Sequence, residues 1–256
     1  MRIDVGALSD PERLLFSSYG VTAPGHIDLE GIAADQGIDV VYRALDGCEA
    51  RLVRVGDRGV VSVNSASGNL GRRRFSLAHE IAHWIRDRDR TAFACSSDDI
   101  SPHDAGAKSI ETSANAYAGQ LVLPDYLVRQ HMGDRPASLS HAQSIGKTFE
   151  ASMTAAAIKL IRLTREPACI AVHRQGTLRW FRKSEMFPSE FYLIPELDPD
   201  AEAFTMAFDG SRSMTNPRRG PAHRWLSGPG VQRREIEYQS LGMGGGETLT
   251  LFKIVR

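Results

Sequence analysis

The chain has 256 residues, 42% of them hydrophobic and 24% charged, and its 31 basic and 31 acidic side chains cancel. That length can bury a large core and accommodates a second domain. The balanced charge argues against a broadly basic nucleic-acid footprint and leaves only local patches to consider. No apolar run approaches the ~20 residues of a membrane span, and the first sixteen residues lack the apolar stretch of a secretory leader. Cys48, Cys95 and Cys169 are odd in number, widely separated and in no CxxC pair. They fit reduced thiols better than a disulfide framework, so the expectation is a soluble, cytoplasmic protein with no membrane contact.

Taken in order, Ser9-Asp10-Pro11-Glu12 predicts a helix start, with a capping side chain and an early proline, running to about Gly20. Asp28 caps a second helix over 29–36, which Gly37 stops. Residues 38–45 are rich in β-branched side chains and read as a strand. Residues 51–55 and 59–64 flank Gly56-Asp57-Arg58 as a hairpin, and a polar loop over 65–71 follows. A helix then covers 75–87, FSLAHEIAHWIRD, uninterrupted by Gly or Pro. Residues 90–108 lack periodicity and read as a loop. A second strong helix is predicted over 109–122, ending before Pro124, with a short one over 125–132. Residues 140–149 and 153–163 form a helix pair, the second capped by Ser152, with the layout of a helix-turn-helix. Beyond Pro167 the expectation is short strands at 169–172, 176–181, 191–194, 234–238 and 249–255. Pro- and Gly-rich stretches, notably 216–220 and 242–246, separate them. The class is α+β. The expected domains are 1–134, a small sheet packed on helices; 135–166, a helical segment; and 167–256, a small strand-rich α/β domain.

Chemistry concentrates in His79-Glu80-Ile81-Ala82-His83, an HExxH motif. Histidines four apart on a helix project from one face, about 6 Å apart along the axis, and can reach one metal ion. Glu80, roughly 100° further round, can address a water at that ion as general base. With 8 His in the chain, chance supplies the motif roughly 0.014 times per chain of this composition, so context must decide. Leu77, Ala78, Ile81, Ala82, Trp84 and Ile85 make the helix a buried one, and Arg86 and Arg88 suit its negative end. The plainer alternative is an amphipathic core helix with two incidental histidines.

Two histidines need a third protein ligand and an open position for hydrolytic work. Glu111, 28 residues after His83, is the best candidate. It shares a helix face with Asn115, Ala118 and Val122, and the alanines and Gly119 would let another helix approach closely. Its plainer role would be to stabilise a helix N-terminus. His103 and Asp104, in the predicted loop, compete with it as less rigid ligands. Zinc (Zn²⁺) is the default ion for His79, His83 and Glu111, with manganese or iron (Mn²⁺ or Fe²⁺) as occupants in cells.

The run RRRFSLAHEIAHWIRD followed by ETSANAYAGQLVLP resembles the ImmA/IrrE family of bacterial metallo-endopeptidases, with its RxxFxxAHExGH and ExxANxFAxxLLMP blocks. Arg72, Phe75, Ala78, His79, Glu80 and His83 match the first block. Glu111, Ala114, Asn115, Ala118, Leu121 and Pro124 match the second, with Tyr117 for its aromatic. Ile81-Ala82 departs from the usual pair without touching a ligand. The likeness is clearest over 25–135. It implies a zincin-like catalytic domain in which His79, His83 and Glu111 hold the metal and Glu80 is the base. It also implies a protein substrate, a helix-turn-helix repressor cleaved in stress response or mobile-element regulation. Longer members end in a GAF-like sensory domain, which would place a small-molecule signal at 167–256.

Two other classes compete. A DNA-binding regulator would use the helix pair at 140–163, yet residues 148–157 carry no basic side chain for phosphate contacts. A ligand-sensing regulator would hold a structural metal, which is usually closed by four ligands. The oxyanion stabiliser is unassigned among Tyr117, His103, His141 and several arginines. The strand at 59–64 could take up an extended substrate by strand addition or be an ordinary sheet strand.

Overall fold

The computed structural model describes residues 3–87 and 105–255. The chain forms two compact units, Met1–His131 with Ile145–Ser152, and Met132–Ser144 with Met153–Arg256.

In the first unit, α1 (Asp10–Arg13) opens with a capping box in which Ser9 N and Oγ donate to Glu12 Oε2 at 3.0 and 2.6 Å. Beyond it the backbone widens to π-type turns over Leu14–Ser18 instead of continuing as the single helix expected. Glu12 is buried; its other oxygen accepts from Tyr126 N at 3.2 Å, which ties the chain's start to a later helix. Asp28 Oδ1 accepts from Gly31 N at 2.9 Å to cap α2 (Leu29–Asp35), and Gly37 leaves it at φ +79°.

The sheet comprises β1 (Ile38–Arg43), β2 (Ala50–Val55) and β3 (Arg58–Asn64) in the order β1-β3-β2. β1 runs parallel to β3 from Ile38↔Gly59 to Arg43↔Asn64, and β2 is its antiparallel hairpin partner. β3 is therefore central. Both its edges are paired, so it cannot accept the extended substrate that the sequence reading allowed it; β1 and β2 flank it. Ala50, Leu52, Val61 and Val63 face inward and are buried, in the alternation a half-covered sheet requires.

Against this sheet lies α3 (Leu70–Arg86), which starts five residues before the predicted stretch because Asn69 Oδ1 caps Arg72 N at 3.1 Å. Trp84 rests on β3 at Gly59, where a Cβ would come within 2.8 Å of the ring, and its indole donates to Gln36 O at 2.9 Å. The guanidinium of Arg54 stacks 3.9 Å above the same ring. α4 (Ala105–Val122) also starts early, by four residues. The rest of the predicted loop, with Cys95, His103 and Asp104, lies outside the described residues. α5 (Asp125–Met132), α6 (Leu139–Thr148) and α7 (Met153–Leu163) fall within a residue or so of their predicted positions. Leu139–Ser144 of α6 belong to the second unit and its remainder to the first.

The second unit is built on a five-stranded antiparallel sheet: β4 (Ala168–Arg174), β5 (Thr177–Lys183), β7 (Arg218–Pro221), β9 (Glu235–Gly244) and β10 (Glu247–Ile254), ordered β5-β4-β10-β9-β7. β6 (Tyr192–Leu193) and β8 (Leu226–Ser227) form a separate two-stranded pair. One core gathers Cys169, Phe187, Phe191, Trp225, Ile236 and Phe252. Three of these elements were not anticipated: α8 (Glu202–Asp209), closed by Gly210 in the left-handed region, the two-residue β8, and β7, which occupies part of a stretch read as a turn. α7 buries Ala156, Ala157, Lys159, Leu160, Ile161 and Leu163. Of its two basic side chains Lys159 is buried and Arg162 exposed, so the helix could offer a DNA backbone only one of them.

Gly71 is in the first turn of α3, where a Cβ would lie 2.3 Å from Ser152 N and 2.5 Å from Ala151 C. Those are backbone atoms that cannot swing aside. Helix propensity alone makes Gly→Ala stabilising by about 1 kcal/mol. Overpacking is expected to outweigh it, so Gly71→Ala should lose roughly 1–3 kcal/mol in urea unfolding; a gain in midpoint would contradict this contact.

In the second unit His173 is 2% exposed, and burial pushes its pKa down to about 4. The folded state favours the neutral ring, so its contribution is fully present above the unfolded value of 6.5 and is lost as pH falls from there toward 4. Acidifying from pH 7.5 to 5.0 should cost the wild-type unit about 2 kcal/mol through this group. Denaturant titrations of His173→Gln at the two pH values should show a correspondingly smaller loss.

Candidate metal centre

The site is made where α3 packs on α4. Ala78 and Ala82 on α3, and Ala114 and Ala118 on α4, are all buried. Side chains no larger than a methyl let two helix backbones approach closely. Gly119, expected to share this role, does not: among the described residues, a Cβ added there meets nothing within 4 Å.

Across this contact, three predicted residues meet. Glu111 Oε2 lies 3.2 Å from His79 Nε2, Glu111 Oε1 lies 3.3 Å from His83 Nε2, and the two Nε2 atoms are 3.0 Å apart. One ligand atom from each falls within 4.8 Å of the others. The imidazole planes stand at 84°, each edge turned toward the carboxylate. His79 and His83 are buried, whereas the Glu111 side chain is 32% exposed and leaves the cluster open on its side. Glu111 is the seventh residue of α4, beyond the first turn, so the helix-dipole role weighed for it does not apply.

The surroundings disfavour a charged ring at His79. Burial pushes His79 below its usual 6.5, and the neighbouring His83 adds to the effect; Glu111 and a hydrogen bond with Asn115 oppose it. Asn115 was placed on the ligand face by its spacing, but its contact with His79 was not anticipated. His83 Nδ1 lies 2.8 Å from Asp87 Oδ2, a residue given no role by sequence. Glu80, next to His79, is 1% exposed.

Tyr117 is buried and pushed up to about 12, mainly by burial; the charged groups acting on it are Asp10, Arg86 and Tyr19, none of them a predicted ligand. His141 belongs to the second unit, with Nδ1 3.3 Å from Pro136 O. Neither joins the cluster, and no oxyanion donor is assigned.

The cluster fits a small divalent cation. Two imidazole nitrogens at 3.0 Å can share at most one proton, and three acceptor groups converge with too few hydrogens between them. Ligand bonds of about 2.0–2.1 Å at tetrahedral angles separate neighbouring ligand atoms by roughly 3.3–3.4 Å. The observed separations of 3.0, 3.2 and 3.3 Å are close to that edge. Nitrogen and carboxylate donors suit zinc.

A histidine pair on an HExxH helix, completed by a glutamate from the next helix, defines the class as a zincin-type peptidase or regulator. The model of the IrrE N-terminal-like domain, Peptidase_M78, matches residues 33–161, half of the chain. The protein belongs to this IrrE-like family. Its fold is also similar to that of a Mycobacterium tuberculosis transcriptional regulator, with a TM-score of 0.65 at 15% identity over 95% of this chain and 74% of that one. Comparison with curated proteins gave no match.

Removing one of three ligands should abolish tight binding. One equivalent of Zn²⁺ in excess of its dissociation constant is expected to raise the thermal midpoint of the metal-free protein, by about 2.7 kcal/mol of stability at a hundredfold excess. Calorimetric scans of Glu111→Ala should show no such shift; a retained shift would remove Glu111 from the ligand set.

Proposed function

We propose that the protein is a zinc-dependent endopeptidase in which His79, His83 and Glu111 hold the metal and Glu80 is the general base. The observation that carries this reading is the convergence of Glu111 on both imidazoles, within 3.3 Å, beside a buried glutamate. Three ligands leave a coordination position free, as catalytic sites do and four-ligand structural sites do not.

When bound, zinc acidifies water toward neutral pH and polarises a scissile carbonyl. The protein's own part follows from its residues. His79 and His83, both buried, present their Nε2 atoms, and Glu111 supplies the carboxylate donor. Glu80 takes a proton from the attacking water on a carboxylate oxygen. It returns that proton to the leaving nitrogen as the C–N bond breaks. Burial keeps this carboxylate away from bulk water, which strengthens its interactions with groups inside the site.

The substrate in this reading is a partner protein, a helix-turn-helix repressor cleaved in the cytoplasm during stress response or mobile-element induction. The family assignment supports a protein substrate. The proposal keeps the three-part division at 134/135 and 166/167, with residues 167–256 as a GAF-like sensor that decides when cleavage occurs. A cavity of about 100 Å³ in the second unit, lined by Trp225, Tyr238, Arg219, Arg224 and Asp198, supports a small-molecule signal there. Among the described residues, no helix is long and apolar enough to cross a membrane.

Glu80→Gln separates base from ligand. It should bind zinc with the wild-type stoichiometry yet cut a co-expressed helix-turn-helix repressor at least 10²-fold more slowly. Cleavage at the wild-type rate, followed on a gel over time, would overturn the assignment of the base.

A further inference from the structure

The C-terminal end of α3 grips the ligand set a second time. Asp87 closes the helix: at φ −113° and ψ 41° it has left helical geometry, and its amide donates to His83 O at 2.9 Å. Its side chain turns back one helical turn, placing Oδ2 2.8 Å from His83 Nδ1. An ionised carboxylate has no hydrogen to give, so a contact this short places the proton on Nδ1. Metal binding requires a neutral imidazole, which carries only one N–H. Nε2 is then left with its lone pair, and Nε2 is the atom that faces Glu111 Oε1 at 3.3 Å and His79 Nε2 at 3.0 Å.

The position itself argues for a purpose. The C-terminal end of a helix carries negative partial charge, so an acidic residue there is electrostatically unfavourable and a basic one is preferred. Asp87 nevertheless sits there, with its side chain only 18% exposed and directed at a histidine that is fully buried. On the other ligand the partner differs: His79 is hydrogen-bonded by the neutral amide of Asn115. The two imidazoles are thus unequal, and the one backed by a carboxylate is the stronger donor.

We infer that Asp87 is a positioning residue of the metal centre, holding His83 in the Nδ1–H tautomer with Nε2 presented to the ligand cluster before an ion arrives. The motif in this chain then extends to His79, Glu80 and His83 on α3 and Asp87 at its C-cap. The inference rests on the metal-site reading above, but its first readout does not need the metal.

In the full-length zinc-free protein labelled with ¹⁵N-histidine, long-range ¹H–¹⁵N correlation reads which ring nitrogen bears the hydrogen, and His83→Gln identifies the His83 signal. The wild type should show His83 protonated at Nδ1, and Asp87→Ala should shift it toward the Nε2–H form. Zinc affinity, by competition with a chelating indicator, should fall 10–100-fold in Asp87→Ala. Asp87→Asn, whose amide oxygen can still accept from Nδ1–H, should keep the tautomer and lose less. A wild-type His83 with hydrogen on Nε2 overturns the inference, as does wild-type zinc affinity in Asp87→Asn and Asp87→Ala alike. An equal loss in both also overturns it, because charge rather than positioning would then be responsible. Should Asp87→Ala not fold, Asp87→Gly takes its place, since glycine is well tolerated at a helix C-terminus: a shifted tautomer with weaker zinc binding than in Asp87→Asn supports the inference, and binding equal to that of Asp87→Asn refutes it. If the wild type shows the Nδ1–H tautomer but binds no zinc, the metal-site reading fails and the assignment of Asp87 to His83 stands.

Discussion

The close packing of α3 on α4 is the constraint on which the rest of the site depends. A carboxylate on one helix reaches two imidazoles on another only if the backbones are near, and four buried alanines, at 78, 82, 114 and 118, keep them so. The sheet supplies the opposing surface. Trp84 lies on β3 at the one position where the strand has no Cβ, and Arg54 covers the ring from β2. Gly71 lets the start of the same helix touch the chain at Ala151 and Ser152. α3 is thus held at its start, along its length and near its end, so the imidazoles on it have little freedom to move.

Much of this was legible in the sequence because it is periodic. His79 and His83 obey the helical repeat, and so do Glu111, Asn115, Ala118 and Val122 on the second helix. Spacing therefore predicted which side chains share a face, and the structure brings Glu111 to both histidines. Asp87 lay beyond that logic. Asp87 does stand four residues after His83, on the same repeat, but it has left helical geometry at the cap, and spacing alone does not say which way a cap side chain turns. Gly119 shows the opposite error: composition marked it as a contact residue, although it faces open space. Identity alone does not tell a glycine needed for close approach, such as Gly71, from one that is not.

The C-terminal unit was legible in its strands but less so in their extent. Apolar runs marked β4, β5 and β10, whereas β9 continues through Gly242 to Gly244, where glycines read as a turn. Gly242 belongs to the strand because a Cβ there would collide with Ser211 O, at 2.0 Å. The turn comes only with Gly244, Gly245 and Gly246, at φ values of 81°, 61° and 77°. β7 escaped notice because Arg-Arg-Gly-Pro has none of the residues that favour strands. It forms at the sheet's edge, the place where a proline, lacking an N–H, is tolerated. Pairing with β9, rather than local preference, makes it a strand.

The electrostatics of the metal centre explain why such a site is built with so little freedom. Burying two histidines and Glu80 beside the partly exposed Glu111 costs stability unless something neutralises them. The fold takes part of that cost out at His79, where burial disfavours the charged form. It cannot do the same for carboxylates without protonating them. A divalent cation can offset two negative charges at once, and its binding energy then adds to the stability of the folded state. Holding the ligands close to tetrahedral separations beforehand leaves little to reorganise on binding. The same argument says where flexibility is affordable: in the partly exposed Glu111 carboxylate, which can shift toward an ion, and not in the buried His83 ring, whose Nδ1 Asp87 already holds.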